Sequence, residues 1–183
     1  MKYFLPLAVL TTAICGLSYL LVQQNIRQSA NDPQIQIAED IASDITTGKD
    51  PRSLKVDIKT DISKSLSPYV IIFDDKGVEI ASSVQLDGKT PIVPAGIFEY
   101  VRTRGQNRFT WEPKNGVRSA VVVTRYTGRE SGFVLVGRSM REVENREDRI
   151  LKLTALAWLV TIGALFVVCG FFSFVPFKKF LKV

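Results

Sequence analysis

The sequence predicts an α+β protein with one antiparallel sheet of about five strands, long N-terminal helices on one face of that sheet, and a transmembrane helix at each end. Three observations predict this class. Two uncharged apolar stretches lie near the ends of the 183-residue chain. Between them, helix start signals come first, and short apolar runs separated by turn residues follow. Helices packed beside an antiparallel sheet form an α+β layer architecture.

The two apolar stretches predict membrane spans at residues 4–22 and 151–175. They contain the runs FLPLAVLTTAICGLSYLLV and LTALAWLVTIGALFVVCGFFSFV, in which no residue is charged. Each run, as a helix, is long enough to cross a hydrocarbon core of about 30 Å. The alternative for the first run is a cleaved signal peptide. Its length and the lack of a clean small-residue cleavage site after it favour a span.

The distribution of charge predicts the topology and excludes a nucleic-acid partner. The chain carries a net charge of +6, but residues 23–149 hold 19 basic and 18 acidic residues. The excess therefore comes from lysines that flank the spans, which are Lys2, Lys152, Lys178, Lys179 and Lys182. The positive-inside rule then predicts a membrane protein with both termini in the cytoplasm and residues 23–150 outside.

The residue types available in the central domain exclude most catalytic and metal chemistry. The chain has no histidine, and its two cysteines, Cys15 and Cys169, lie in the predicted spans. Asp74 and Asp75 are interpreted as a solvated turn, because adjacent turn carboxylates have no buried partner that shifts their pKa. We therefore expect a protein that is not an enzyme and has no catalytic residues, no metal site and no cofactor.

Two helix signals precede the predicted sheet. Asp32 followed by proline starts a helix that carries isoleucines at four-residue spacing and ends at Gly48. Asp50 followed by proline repeats the signal and predicts a second helix that runs to Pro68. Its apolar stripe consists of Leu54, Ile58, Ile62 and Leu66.

The strand signals begin with the run YVIIF, a turn DDKG and the alternating run VEIAS. Continuous apolar residues are typical of a strand covered on both faces, and alternation is typical of a half-buried strand. A loop at residues 85–94 and a short helix at 95–104 follow. Three more strands are predicted at residues 108–112, 117–126 and 132–138, and a charged helix from Met140 leads into the second span.

This order, with the D-D-K-G turn and the I-A-S-S that follows it, resembles the extracytoplasmic PAS-like domains of the Cache group. Those domains occur in two-span bacterial receptors such as sensor histidine kinases. The resemblance covers residues 25–150 and both flanking spans. It implies a ligand pocket between the sheet and residues 84–104, dimers, and signalling through the membrane helices. Only residues 176–183, a predicted cytoplasmic tail, follow the second span, so no output domain is expected here.

Arginines and aromatic residues near that expected pocket are the candidate ligand-binding residues. Residues 81–149 hold 12 basic and 8 acidic residues. Because arginine binds carboxylates with two parallel hydrogen bonds, the expected ligand is a small organic anion. Arg125 has the opposite strand parity to Arg118 and is expected to face away. The candidates are Tyr100, Arg102, Trp111, Arg118 and Tyr126.

The expected function is that of a membrane-anchored extracytoplasmic sensory module that passes a small-molecule or envelope signal to a partner. Expected partners are membrane lipid, a second copy of the chain, a small organic anion and a separate signalling protein such as a histidine kinase. Two alternatives stay open from the sequence. The first is a non-sensing envelope scaffold or protein-interaction subunit. The second is the input half of a longer histidine-kinase-type receptor.

Overall fold

The structure, a computed structural model, describes residues 3–29, 31–54 and 59–174. The chain divides into two compact units. The helical unit consists of the described parts of Met1–Ile26 and Asn145–Val183, and the α+β domain is Arg27–Glu144. The predicted tail at residues 176–183 lies outside the described residues.

The helices and strands of the described part run in the following order along the chain. The helices are α1 (Phe4–Ser29), α2 (Asp32–Thr46), α3 (Gly96–Arg104) and α4 (Arg141–Phe174), and a short 3₁₀ helix covers Pro51–Leu54. The strands are β1 (Thr60–Asp61), β2 (Tyr69–Asp74), β3 (Glu79–Ser82), β4 (Val84–Gln85), β5 (Gln106–Lys114), β6 (Val117–Tyr126) and β7 (Gly132–Ser139).

The main sheet has five antiparallel strands, which confirms the predicted number and direction. Its strand order is β3-β2-β7-β6-β5, and β6 has the bounds that the sequence predicts. β2, β6 and β7 occupy its middle and are the strands with continuous apolar runs. A parallel pair of two-residue strands, β1 and β4, is additional and falls partly in a predicted loop.

Helices cover both faces of the main sheet, which corrects the prediction of helices on one face. Val122 and Val134 pack with Ala38 and Ala42 of α2 on the first face, called the α2 face. The second face, called the α3 face, carries the neighbouring strand residues. It packs Val121, Val123, Phe133 and Leu135 against Phe98 and Val101 of α3. Period-two alternation explains the division, because adjacent strand residues point to opposite faces.

The predicted second helix is only a short 3₁₀ helix at Pro51–Leu54, and the prediction is wrong over residues 59–67. Residues 60–67 form β1 and a turn, and residues 55–58 lie outside the described residues. The Asp61 carboxylate accepts hydrogen bonds from the backbone N–H of Ser63 at 3.0 Å and from its hydroxyl at 2.6 Å. Such local side-chain bonds compete with helix formation, while Ile62 is drawn into the core of the α3 face.

Glycines near the two ends of β7 leave space for the rings of two tyrosines on the neighbouring strands. Tyr69 lies directly opposite Gly137, and Tyr126 lies opposite Gly132. A Cβ at Gly137 would lie 2.2 Å from the Tyr69 ring, and one at Gly132 would lie 2.1 Å from the Phe73 carbonyl oxygen. That same carbonyl accepts a hydrogen bond from the Tyr126 hydroxyl at 3.1 Å. Burial raises the pKa of Tyr126, and it raises the pKa of Tyr69 to about 12.

The helical unit contains the larger parts of α1 and α4, which run side by side in opposite directions. The Trp158 indole N–H donates to the Thr12 hydroxyl at 2.9 Å. The rings of Phe4 and Phe166 meet edge to face with centroids 5.8 Å apart. Both helices are long and apolar enough to cross a membrane, and most of their large apolar side chains are exposed.

The close approach of buried atoms to Gly132 and Gly137 predicts that a single added methyl group at either position destabilises the domain. We expect Gly137→Ala or Gly132→Ala to destabilise the α+β domain by about 1–3 kcal/mol or more, because the added carbon overlaps buried atoms that cannot move. Gly96→Ala is the control, since no atom lies within 4 Å of its Cβ position. Thermal unfolding of the full chain in detergent measures the effect. Equal melting temperatures for the three variants would contradict it.

Candidate functional site

The space between the sheet and residues 84–104, where the ligand pocket is expected, is filled by packed side chains. The Phe98 ring lies with its centroid 4.9 Å from that of Phe73 and 5.0 Å from that of Phe133. Val101 is fully buried beside them, and Trp111 is 6% exposed in the same cluster. Trp111, expected to form a pocket wall, is therefore a core residue of the α3 face.

The structure does not bring the five candidate residues into one pocket. Tyr100 and Arg102 lie on α3, and Tyr100 is exposed. Arg118 and Tyr126 do share strand parity as the sequence predicts, but that parity belongs to the α2 face. Tyr126 is buried there and bonded to the Phe73 carbonyl oxygen. The expectation that these residues line one pocket beside α3 is therefore corrected. Strand parity shows which residues share a face, but it does not show which helix covers that face.

Arg125, expected to point away, is the strand arginine that approaches the same carboxylate as Arg102, whose Nε lies 3.9 Å from the Asp75 side chain. The Arg125 guanidinium lies 3.7 Å from the Asp75 carboxylate. Arg102 donates to the Asp75 carbonyl oxygen and to Glu99, and its guanidinium stands 5.5 Å from the centre of the Phe133 ring. Asp75 is thus the point at which the β2–β3 turn is held to α3 and β6. Its side chain is 52% exposed and it lies in the turn, as the sequence predicts.

The junction between β7 and α4 is held by side chains from two other parts of the domain. Arg118 of β6 donates to the Glu144 carboxylate of α4 at 2.6 Å, and its Nε lies 3.8 Å from the Glu112 carboxylate. Arg138 donates to the Leu66 carbonyl oxygen at 3.1 Å. The first of these contacts ties the first turn of α4 to the sheet, and the last ties the end of β7 to the segment before β2.

A loop of the α+β domain reaches the same junction. Arg141, the first residue of α4, donates to the Lys64 carbonyl oxygen at 2.6 Å. Lys64 follows β1, and β1 pairs with β4 through the backbone bond from Ile62 N–H to the Gln85 carbonyl oxygen at 3.1 Å. Two hydrogen bonds, linked by the backbone from Ile62 to Lys64, therefore join the start of residues 84–104 to the start of α4.

A cavity of about 230 Å³ lies at the opposite end of β7, beside the β6–β7 turn. Its wall contains three cationic and two acidic side chains. The lining residues are Ile45, Gly48, Lys49, Asp50, Pro51, Arg52, Arg129 and Glu130. Sequence reasoning missed this cavity because its two walls come from segments about 80 residues apart in the chain, and only the fold of α2 onto the sheet brings them together.

No family model, no curated protein and no solved structure matches this chain. Within the described ranges, no group of three or more histidine, cysteine, aspartate or glutamate residues is placed to hold a metal ion. The described part of the chain thus offers two features with a possible functional role, the β7–α4 junction and the cavity at the β6–β7 turn.

The turn beside the junction predicts a pH-dependent stability. The Ser63 hydroxyl and then its backbone N–H lower the pKa of Asp61 below its ordinary value of 3.8. A carboxylate with a lowered folded-state pKa contributes stability that is complete above the unfolded-state pKa and is lost as the pH falls through the folded-state pKa. We expect wild type to exceed Asp61→Ala in urea midpoint at about pH 7 and the difference to shrink at about pH 3. An equal difference at both pH values would contradict this assignment.

Proposed function

We propose that this chain is a two-span membrane protein whose α+β domain is an extracytoplasmic, PAS-like sensory module. The domain detects a small molecule or an envelope signal and passes it through α4 to a partner protein. The observation that carries the proposal is the continuity of α4. One helix of 34 residues begins two residues after the last strand of the sheet and contains the second apolar stretch.

The junction contacts support a transmitting role for α4. A rigid helix moves as a unit when its first turn is displaced, and its first turn is bonded to β6 and to the loop after β1. A change at either place therefore changes the position that α4 prefers. A ligand can bias that equilibrium only by binding one arrangement more tightly than the other.

The order of elements supports the PAS-like assignment. The resemblance expects a helix before the sheet, a strand pair with an acidic turn, a short helix, three antiparallel strands and a helix back to the membrane. The described chain has α2, then β2 and β3, then α3, then β5 to β7, and then α4.

A second candidate function is that of a non-sensing envelope scaffold. The aromatic packing of Phe73, Phe98 and Phe133 favours it, because these rings occupy the space where the resemblance expects a ligand. In that case the domain binds a protein partner and has no small-molecule input. A third candidate, the input half of a longer histidine-kinase-type receptor, keeps the sensory role and adds an output domain.

The proposed topology is tested with reporter fusions. We expect a cytoplasmic reporter to be active at either terminus and an exported phosphatase to be active when it is inserted at the exposed Gly116 turn. The physical reason is the excess of lysine at both ends of the chain. A C-terminal reporter that is active only outside the membrane would overturn the whole arrangement.

The transmitting role of α4 is tested with a native cysteine. In a Cys15→Ser background, Cys169 of α4 is the one cysteine left in the chain. We expect Arg118→Glu to change the rate at which a maleimide modifies Cys169, because the new carboxylate repels Glu144 at the junction. Arg104→Glu is the control, since Arg104 lies over the Tyr100 ring, away from the junction. Identical rates in wild type and Arg118→Glu would count against transmission through α4.

A further inference from the structure

Only some of the charged side chains around the cavity at the β6–β7 turn form ion pairs or hydrogen bonds with other described residues. Lys49 is paired with Asp44 at 2.7 Å. The Asp50 carboxylate accepts the backbone N–H of Arg52 at 2.8 Å and lies 3.8 Å from the guanidinium of the same residue. Arg129 makes no hydrogen bond or ion pair with any residue that the structure describes. The guanidinium of Arg129 and most of the donors of Arg52 are therefore available to a bound molecule.

The walls of the cavity are held by close contacts of the backbone. A Cβ at Gly128 would lie 3.3 Å from both the Cα and the carbonyl oxygen of Thr46, so only a very small residue lets the turn approach the end of α2 this closely. Gly48 takes a φ of 108°, which a residue with a side chain rarely adopts, and its N–H bonds to the Ile45 carbonyl oxygen at 3.0 Å. The cavity is thus formed before any ligand arrives, which lowers the entropic cost of binding.

We infer that this cavity binds a small organic anion through a carboxylate group held by Arg52 and Arg129. Each guanidinium offers five N–H donors in a planar fork that matches a carboxylate. The volume of about 230 Å³ lies below the range of pockets for drug-sized ligands and suits a compact metabolite. The inference deepens the proposed function by naming its input site, which lies at the opposite end of β7 from the junction.

Glu130 distinguishes an anion from a zwitterion. Its carboxylate lines the cavity and has no hydrogen-bond or ion-pair partner among the described residues. A bound anion is repelled by this charge, whereas the ammonium group of an amino acid is attracted by it. Removal of the charge in Glu130→Gln should therefore strengthen the binding of an anion and weaken the binding of a zwitterion.

The test measures binding of succinate, acetate, glycine and inorganic phosphate to the full-length protein in nanodiscs by isothermal titration calorimetry. We expect succinate or acetate to bind, and Arg129→Ala and Arg52→Ala each to weaken that binding by about tenfold or more, because each removes a charge-assisted hydrogen-bond pair. Glu130→Gln should tighten it. Arg104→Ala, which removes an exposed arginine outside the cavity, should leave it unchanged.

Four outcomes would overturn the inference. They are no binding of either carboxylate to wild type, binding that survives both arginine substitutions, binding of phosphate or glycine alone, and weaker carboxylate binding in Glu130→Gln. Failure of this site is distinguishable from failure of the proposed function. The reporter fusions and the Cys169 modification rates require no ligand, so they test the topology and α4 transmission whatever the calorimetry shows.

Discussion

The rest of the structure depends on the burial of β7 on both faces. Residues 132–137 of this strand are all buried, and β2 and β6 flank it on either side. A strand in this position needs apolar side chains above and below the sheet, so α2 must cover one face and α3 the other. The glycines near its ends leave space for the rings of Tyr69 and Tyr126. A larger residue in place of either glycine would overlap the ring and force the strands apart.

A close-packed apolar core on both faces leaves the charged side chains at the ends and edges of the sheet. An arginine is costly to bury without a partner. Several arginines of the domain therefore lie near the two ends of β7. At the β7–α4 junction they bond to Glu144 and to backbone carbonyl oxygens. At the β6–β7 turn they face a cavity. The two ends of one buried strand therefore carry the cavity at the β6–β7 turn and the start of α4.

Much of the fold could be predicted from local patterns. The apolar run YVIIF and the stretch Val117–Tyr126 predicted their strands, and Asp32 with Gly48 predicted the approximate bounds of α2, because these signals act within one element. The segment after Asp50 failed for a physical reason. Its four-residue spacing of apolar residues is typical of a helix, but the hydrogen bonds from Ser63 to Asp61 and the burial of Ile62 in the core stabilise a turn instead.

By itself the sequence determined the two apolar helices, the five strands of the main sheet and the shared parity of Arg118 and Tyr126, since these follow from composition and from a period of two. Only the tertiary structure decided which face each helix covers. That choice brought Arg125 rather than Arg118 to the carboxylate that Arg102 also approaches. It also filled the expected pocket with Phe98 and brought Arg52 and Arg129 to one cavity. The physical reason is that contacts between segments far apart in the chain depend on how whole faces pack, and no local pattern contains that information.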